Sequence, residues 1–220
     1  MNKAVKTSAL FDVKDGFLLS LFSECEYPWE ILPRIKSFIN DFSSKGLNGY
    51  KKHADNVLIG ENVRIADSAV IIGPAIIGHN TEIRTGAYLR GSVIVGEGCV
   101  IGNSTELKNC IVLDRAQIPH YNYVGDSIIG MKAHLGAGAI CSNLKADGRY
   151  VVVHGEKDYE TGLRKVGGFI GDGADVGCQC VINPGTVVGR RTSVYPLTSL
   201  RGVYPADCIV KSATAYLKRK

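Results

Sequence analysis

The chain has 220 residues, 45% of them hydrophobic and 21% charged, globular proportions that exclude a disordered, collagenous or highly charged protein. No stretch approaches the roughly eighteen uninterrupted apolar residues of a membrane span, and Asp12, Lys14 and Asp15 fall where a signal peptide would need its apolar run, so a cytoplasmic protein without membrane contact is expected. A formal charge of +5 is too modest for a nucleic-acid surface but suits an acidic small molecule such as a phosphate ester or coenzyme, and seven cysteines without a CxxC pair indicate neither a disulfide framework nor a zinc site.

In the first part of the chain, Phe17, Leu18, Leu21 and Phe22 suggest a short helix, and Trp29 reads as core. Ile31, Leu32, Ile35, Phe38, Ile39 and Phe42 recur at helical spacing, with Pro33 tolerable in a first turn and Gly46 just past the end. Residues 1–53 are therefore expected to form a helical cap over one end of the main core.

From residue 57 another period takes over. Ile59, Ile65, Ile71, Ile77, Ile83, Leu89, Val95, Ile101, Leu107 and Leu113 are spaced by six, a run that chance would give about once in 60,000 starting points. Two residues before each stand mostly small side chains, such as Ala69, Ala75, Thr81, Ala87, Cys99 and Thr105. The register slips by one to give Ile118 and Val124, and again to give Ile129, Leu135 and Cys141, and it returns as Ile170, Val176, Ile182, Val188, Val194 and Leu200. A corner every sixth residue, three corners to a coil, makes a triangular column of parallel strands, the aliphatic residue pointing inward beside small ones. This rule resembles the left-handed parallel β-helix of hexapeptide-repeat proteins, an exception to right-handed crossover. Six or seven coils at about 4.8 Å each make a column about 30 Å tall over residues 54–200, with residues 201–220 as a C-terminal extension. Residues 142–168 break the period, are polar, and are expected to be expelled sideways as a loop or hairpin that carries function.

The coil period also identifies neighbours. Arg90 and Lys108, eighteen apart, stack one above the other, and two cations at that spacing repel unless water or an anion lies between them. The alternative is two solvated surface charges. His120, in the segment PHYNYVGDS, stands where the hexad rule fails, which marks either a candidate base or an ordinary surface or hydrogen-bonded histidine. His134 is a second candidate.

The segment IGNSTELKNCIVLDRAQIPHYNYVGDSIIGMKAHLGAGAICSNL, residues 101–144, resembles the acetyltransferase domain of bifunctional N-acetylglucosamine-1-phosphate uridylyltransferase/glucosamine-1-phosphate acetyltransferase enzymes. The likeness extends over roughly residues 57–200 and includes no glycine-rich nucleotide loop near the start, so uridylyl transfer is not expected. The resemblance implies transfer of acetyl from acetyl-coenzyme A to the amino group of an amino-sugar 1-phosphate, without a metal. It makes His120 the general base, Arg90 and Lys108 the phosphate ligands, and Tyr123 and Asn143 sugar ligands. It places the thioester against backbone at Ala137 and Gly138, and it implies a homotrimer with the coenzyme between columns. The coenzyme's phosphates are then expected near Arg190, Arg191 and Lys211. The chain departs from the family at His134, where many members have Asn and where the pocket is lined, at Leu144 in place of Tyr, and at Cys178, where a serine often lies near the coenzyme thiol. Those departures leave the choice of amino sugar open, and a nucleotide-linked sugar is an alternative acceptor. A noncatalytic binding protein is a further alternative. The loop cations Arg149 and Lys165 are either additional phosphate ligands or solvated charges. A γ-class carbonic anhydrase, the other trimeric β-helix, needs three zinc histidines, and His79, His120 and His134 lack that spacing.

Overall fold

The computed structural model describes residues 4–218. Two-to-five-residue strands wind into a triangular column with three parallel sheets, one per face. The first face carries Val57–Ile59, Ala75–Ile77, Val93–Val95, Cys110–Val112, Ile128–Ile129, Gly168–Ile170, Thr186–Val188 and Val203–Tyr204. The second face runs from Arg64–Ile65 through Val100–Asn103, Gln117–His120, His134–Leu135 and Asp175–Val176 to Cys208–Ser212. The third runs from Val70–Ile72 through Tyr88–Arg90, Glu106–Lys108, Tyr123–Gly125, Ile140–Cys141 and Val181–Ile182 to Ser199–Leu200. This is the hexapeptide-repeat left-handed parallel β-helix that the periodicity predicts.

The corner aliphatics fill the column, as Ile77, Leu89, Ile101, Leu107, Val124, Leu135, Ile182 and Leu200 are all fully buried. The small positions beside them include threonines whose hydroxyls would be costly if unpaired. Thr81 donates to the Gly96 carbonyl at 2.8 Å and Thr192 to that of Pro205 at 2.6 Å, each closing a bond across the narrow interior. One hexad assignment is corrected. Leu113 is buried on the outside of the column, and Val112 occupies the interior, so the first slip falls between Leu107 and Val112. Two successive coils, Val95 to Val112 and Val112 to Ile129, are therefore seventeen residues long.

The N-terminal segment lies on the flank of the column and not over its end. The reason is the outward side of the first face, where Leu58, Ile76, Ile94, Ile111, Ile128, Phe169 and Val187 form a continuous apolar stripe. Leu21, Phe22, Trp29, Ile31, Leu32, Ile35 and Ile39 bury that stripe, the last two from the helix Ile35–Lys45. Each fully buried isoleucine is worth about 1.5–3 kcal/mol. Asp172 pins the arrangement, accepting from the backbone amides of Asp12 and Met131, both at 2.8 Å. The inward residues of the first coil, Ile59, Ile65 and Ile71, stay only half-buried; at that end one further strand, Lys51–Ala54, pairs antiparallel with Val57–Ile59 on the first face. At the other end the winding continues past Leu200 into Cys208–Ser212, on which Ala215–Lys218 folds back antiparallel.

The inserted segment forms a hairpin, Val152–His154 with Asp158–Glu160. It too docks on the flank, with Val151, Val153 and Val166 fully buried and Tyr159 against Trp29 at 6.1 Å between ring centroids.

Candidate active site

With the first face covered, the polar second and third faces remain for chemistry. The third face has a cluster at its edge toward the first. Arg90 and Lys108 occupy equivalent positions of neighbouring strands, next to the paired residues Leu89 and Leu107, as the coil arithmetic predicts. Their mutual repulsion is relieved by carboxylates of the chain itself. Arg90 Nη1 lies 2.6 Å from Glu106 Oε1, and Lys108 Nζ lies 3.4 Å from Asp126 Oδ2.

Asp126 organises this edge. Its side chain is only 6% exposed, yet it accepts from Asn109 Nδ2 at 2.8 Å, from Asn143 Nδ2 and from Lys108. Asn109, Asp126 and Asn143 are seventeen residues apart in the chain, so the two short coils set them directly above one another. Asn143 Nδ2 also donates to the Tyr123 hydroxyl at 3.2 Å. Tyr123 lies along the face over Gly125, where an added Cβ would stand 2.4 Å from its hydroxyl and displace the ring from this position. Burial, then the nearby Asp126 and Glu106 carboxylates, push the Tyr123 phenol above its usual range, so it stays protonated and can donate. Arg90, Lys108, Tyr123 and Asn143 thus form one group.

His120 stands at the opposite edge of the third face, on the corner with the second. It is exposed, beside Asn103 in the ladder, and its ring makes no hydrogen bond with any described residue. The turn beneath it is held by buried Asn122, which accepts from the His120 amide at 3.1 Å and donates to the Gly136 carbonyl at 2.8 Å. The structure does not bring His120 into contact with the phosphate-side cluster within one chain; the width of the third face separates them. One coil along, the Gly138 amide is spent on the His120 carbonyl at 2.9 Å, whereas the Ala137 amide donates to no group among the described residues, so of these two amides only Ala137 offers a free donor. Cys178 stands one coil further, exposed.

His134 is on the second face, and its Nδ1 lies 2.8 Å from Asp175 Oδ1. The expected coenzyme cations divide. Arg190 and Arg191 occupy the corner between the first and second faces, across the second face from His120. Arg190 Nη2 donates to the Ser8 carbonyl at 3.1 Å and its Nε lies 3.7 Å from Asp172, which ties down the N-terminal segment. Arg191 makes a two-bond pair with Asp207 at 2.6 and 2.7 Å. Lys211 is exposed in the last coil. Arg149 approaches Asp147 at 3.9 Å.

Residues 71–158 match the family model of the GMPPB C-terminal domain. The chain is 40% identical over 200 residues to the bifunctional protein GlmU of Methanococcus maripaludis strain C7, an alignment that covers 88% of this chain and 47% of that protein. It is 37% identical over 94 residues to a bifunctional sugar-1-phosphate nucleotidylyltransferase/acetyltransferase of Sulfurisphaera tokodaii, covering 42% of this chain and 23% of the relative. The chain spans about half the length of this GlmU relative. Among solved structures, a point mutant of AntD, an N-acyltransferase from Bacillus cereus in complex with dTDP and coenzyme A, aligns with a TM-score of 0.47 at 16% identity, over 78% of this chain and 90% of that one.

Four polar residues escaped the sequence reading. Glu106, Asn109 and Asp126 are invisible to a search for cations and bases, although Asp126 sits inside the YVGDS segment, and a seventeen-residue coil would have aligned Asn109, Asp126 and Asn143. Asp175 required knowing that His134 begins a strand paired with Asp175–Val176.

Proposed function

We propose that the protein is an acetyl-coenzyme A-dependent N-acetyltransferase acting on an amino-sugar 1-phosphate. The observation that carries this reading is the grouping of Arg90, Lys108, Tyr123 and Asn143 on one edge of the third face, with the His120 imidazole, unpaired among the described residues, on the other edge. A phosphate meets two cations at the first edge, and sugar hydroxyls meet the phenol and amide groups beside them. The sugar amine is protonated near neutral pH and attacks only after losing its proton, a task His120 can do in its neutral form. The free Ala137 amide is suited to the thioester carbonyl as negative charge grows on it. No metal is needed for this step, because a thioester is already activated toward an amine. A relative is named as a bifunctional sugar-1-phosphate nucleotidylyltransferase/acetyltransferase, and its acetyltransferase half supports acetyl transfer here.

The separation of His120 from the cation cluster supports a homotrimer in which one column's His120 edge meets the cation edge of the next, the coenzyme running in the groove between them. Cys178 then lies near the coenzyme sulfur, and Lys211 remains available to its phosphates. His134, held by Asp175, lines the pocket and orients substrate. A soluble cytoplasmic location suits both small-molecule substrates, and no helix among the described residues is long and apolar enough to cross a membrane.

The test is His120→Ala. Turnover falls by about 10²- to 10⁴-fold, the span of a lost acid-base group, while acetyl-coenzyme A binding persists. His134→Ala is milder. Wild-type turnover in His120→Ala with loss in His134→Ala reverses the two roles, and normal turnover in both variants places the base elsewhere.

A further inference from the structure

The insertion has two sides. One is committed to packing, with Val151, Val153 and Val166 sealed against the flank. The other, Leu144–Asp147, arches over the next two coils and encloses, with Ser142, Asn183 and Arg201, a cleft of about 560 Å³.

The charges lining this cleft are unbalanced. Asp147 is its one lining carboxylate among the described residues, and it is already occupied: Lys145 Nζ lies 3.3 Å away, Arg149 Nε 3.9 Å away, and the Arg149 amide donates to it at 3.0 Å. Arg201 makes no ion pair with any described residue, and its guanidinium has no hydrogen-bond partner among them. The Ser142 hydroxyl is likewise unpartnered among the described residues. His154, also in the lining, holds Asp158 at 2.8 Å. A concave wall with a surplus of positive charge and unused donors is a receptor for an anion.

Its position gives scale. Val124 pairs with Cys141, Cys141 with Ile182, and Ile182 with Leu200, so Gly125, Ser142, Asn183 and Arg201 follow Lys108 up one edge of the column. At about 4.8 Å per coil, Ser142 stands about 10 Å and Arg201 about 19 Å beyond Lys108. This is a separate site from the Arg90–Lys108 pair. Its volume exceeds what a lone phosphate needs and falls in the range of about 300–1,000 Å³ of organic-ligand sites.

We infer that the insertion cleft binds a nucleoside diphosphate group, with Arg201 and Ser142 holding its phosphates. Two substrates can carry that group, the coenzyme itself or a nucleotide-linked sugar acceptor; assigning it to either rests on the acetyl-transfer reading, whereas anion binding in the cleft does not. With Arg190 and Arg191 engaged by the chain's own groups, Arg201 is a cation on this edge with no partner among the described residues.

Calorimetric titration of the full chain with coenzyme A and, separately, with uridine diphosphate tests this without turnover. Arg201 is exposed and its guanidinium holds no described residue, so Arg201→Met keeps the fold, which thermal melting verifies; Ser142→Ala is the second variant. Arg201→Met weakens binding of at least one probe by about tenfold or more, the value of a charge-assisted hydrogen bond, and Ser142→Ala weakens the same probe less. Loss confined to coenzyme A assigns the cleft to the coenzyme, and loss confined to uridine diphosphate assigns it to the acceptor. Unchanged affinity for both probes in Arg201→Met, or no binding of either by the wild type, overturns the inference. A protein that binds coenzyme A through Arg201 but releases thiol with no amino sugar overturns the acetyl-transfer reading alone.

Discussion

Replacing Lys108 with Met isolates the phosphate interaction. The side chain is 26% exposed, and its 3.4 Å distance to Asp126 is longer than the roughly 2.7–2.9 Å of a strong charge-assisted bond, so the ammonium is held loosely and keeps donors for an incoming phosphate. A charge-assisted hydrogen bond contributes about 1.5–3 kcal/mol, which corresponds to about ten- to 150-fold in affinity. Arg90 is more exposed, at 43%, and already sits 2.6 Å from Glu106, so Arg90→Met costs less. The assay is steady-state thiol release with two acceptors, the amino-sugar 1-phosphate and the same sugar without its phosphate. Lys108→Met raises KM for the phosphorylated acceptor by about ten- to 150-fold. It changes the KM for acetyl-coenzyme A, and that for the unphosphorylated sugar, by less than about twofold. Equal changes with and without the phosphate, or equal changes for acceptor and coenzyme, refute the role of Lys108.

Three further outcomes follow from the packing and charges. Trp29→Ala removes a buried ring that joins the N-terminal segment to the hairpin, so urea denaturation shows a loss of about 3–5 kcal/mol; a loss below about 1 kcal/mol contradicts the flank packing. Asp172 has its carboxyl pushed above the usual range, chiefly by burial, so the folded state holds that proton more tightly than the unfolded chain does. Its contribution to stability is therefore fully present below about pH 4 and lost as the pH rises through the folded value; urea curves comparing wild type with Asp172→Asn show the wild type's relative stability falling over that interval, and a rise contradicts the assignment. In sedimentation equilibrium at micromolar concentration the protein runs as a trimer, and a stable monomer argues against shared sites.

The column was legible because burial imposes a strict spacing: an inward aliphatic at each corner repeats whatever the surface does. The same regularity concealed the slip at Val112, since Leu113 is also aliphatic and also buried, though on the other side of the sheet. The flank packing left its own mark in the runs VLI, AII, VIV and CIV, where three apolar residues in succession mean a strand covered on both sides. At the candidate site, stacking arithmetic brought Arg90 and Lys108 together, but it could not show that Glu106 and Asp126 answer their charge, because a carboxylate's partner depends on side-chain direction at a corner. Arg190 illustrates the reverse: as a sequence feature it looked like a free cation, and its partner Ser8 lies 182 residues away.

The most direct measurement is release of free thiol from acetyl-coenzyme A in the presence of a panel of amino-sugar 1-phosphates, with the sugar product followed by mass. Thiol is released one-for-one with an N-acetylated sugar phosphate, and the release falls by about 10²- to 10⁴-fold in His120→Ala. Folded protein that releases no thiol with any amino-sugar phosphate contradicts acetyl transfer.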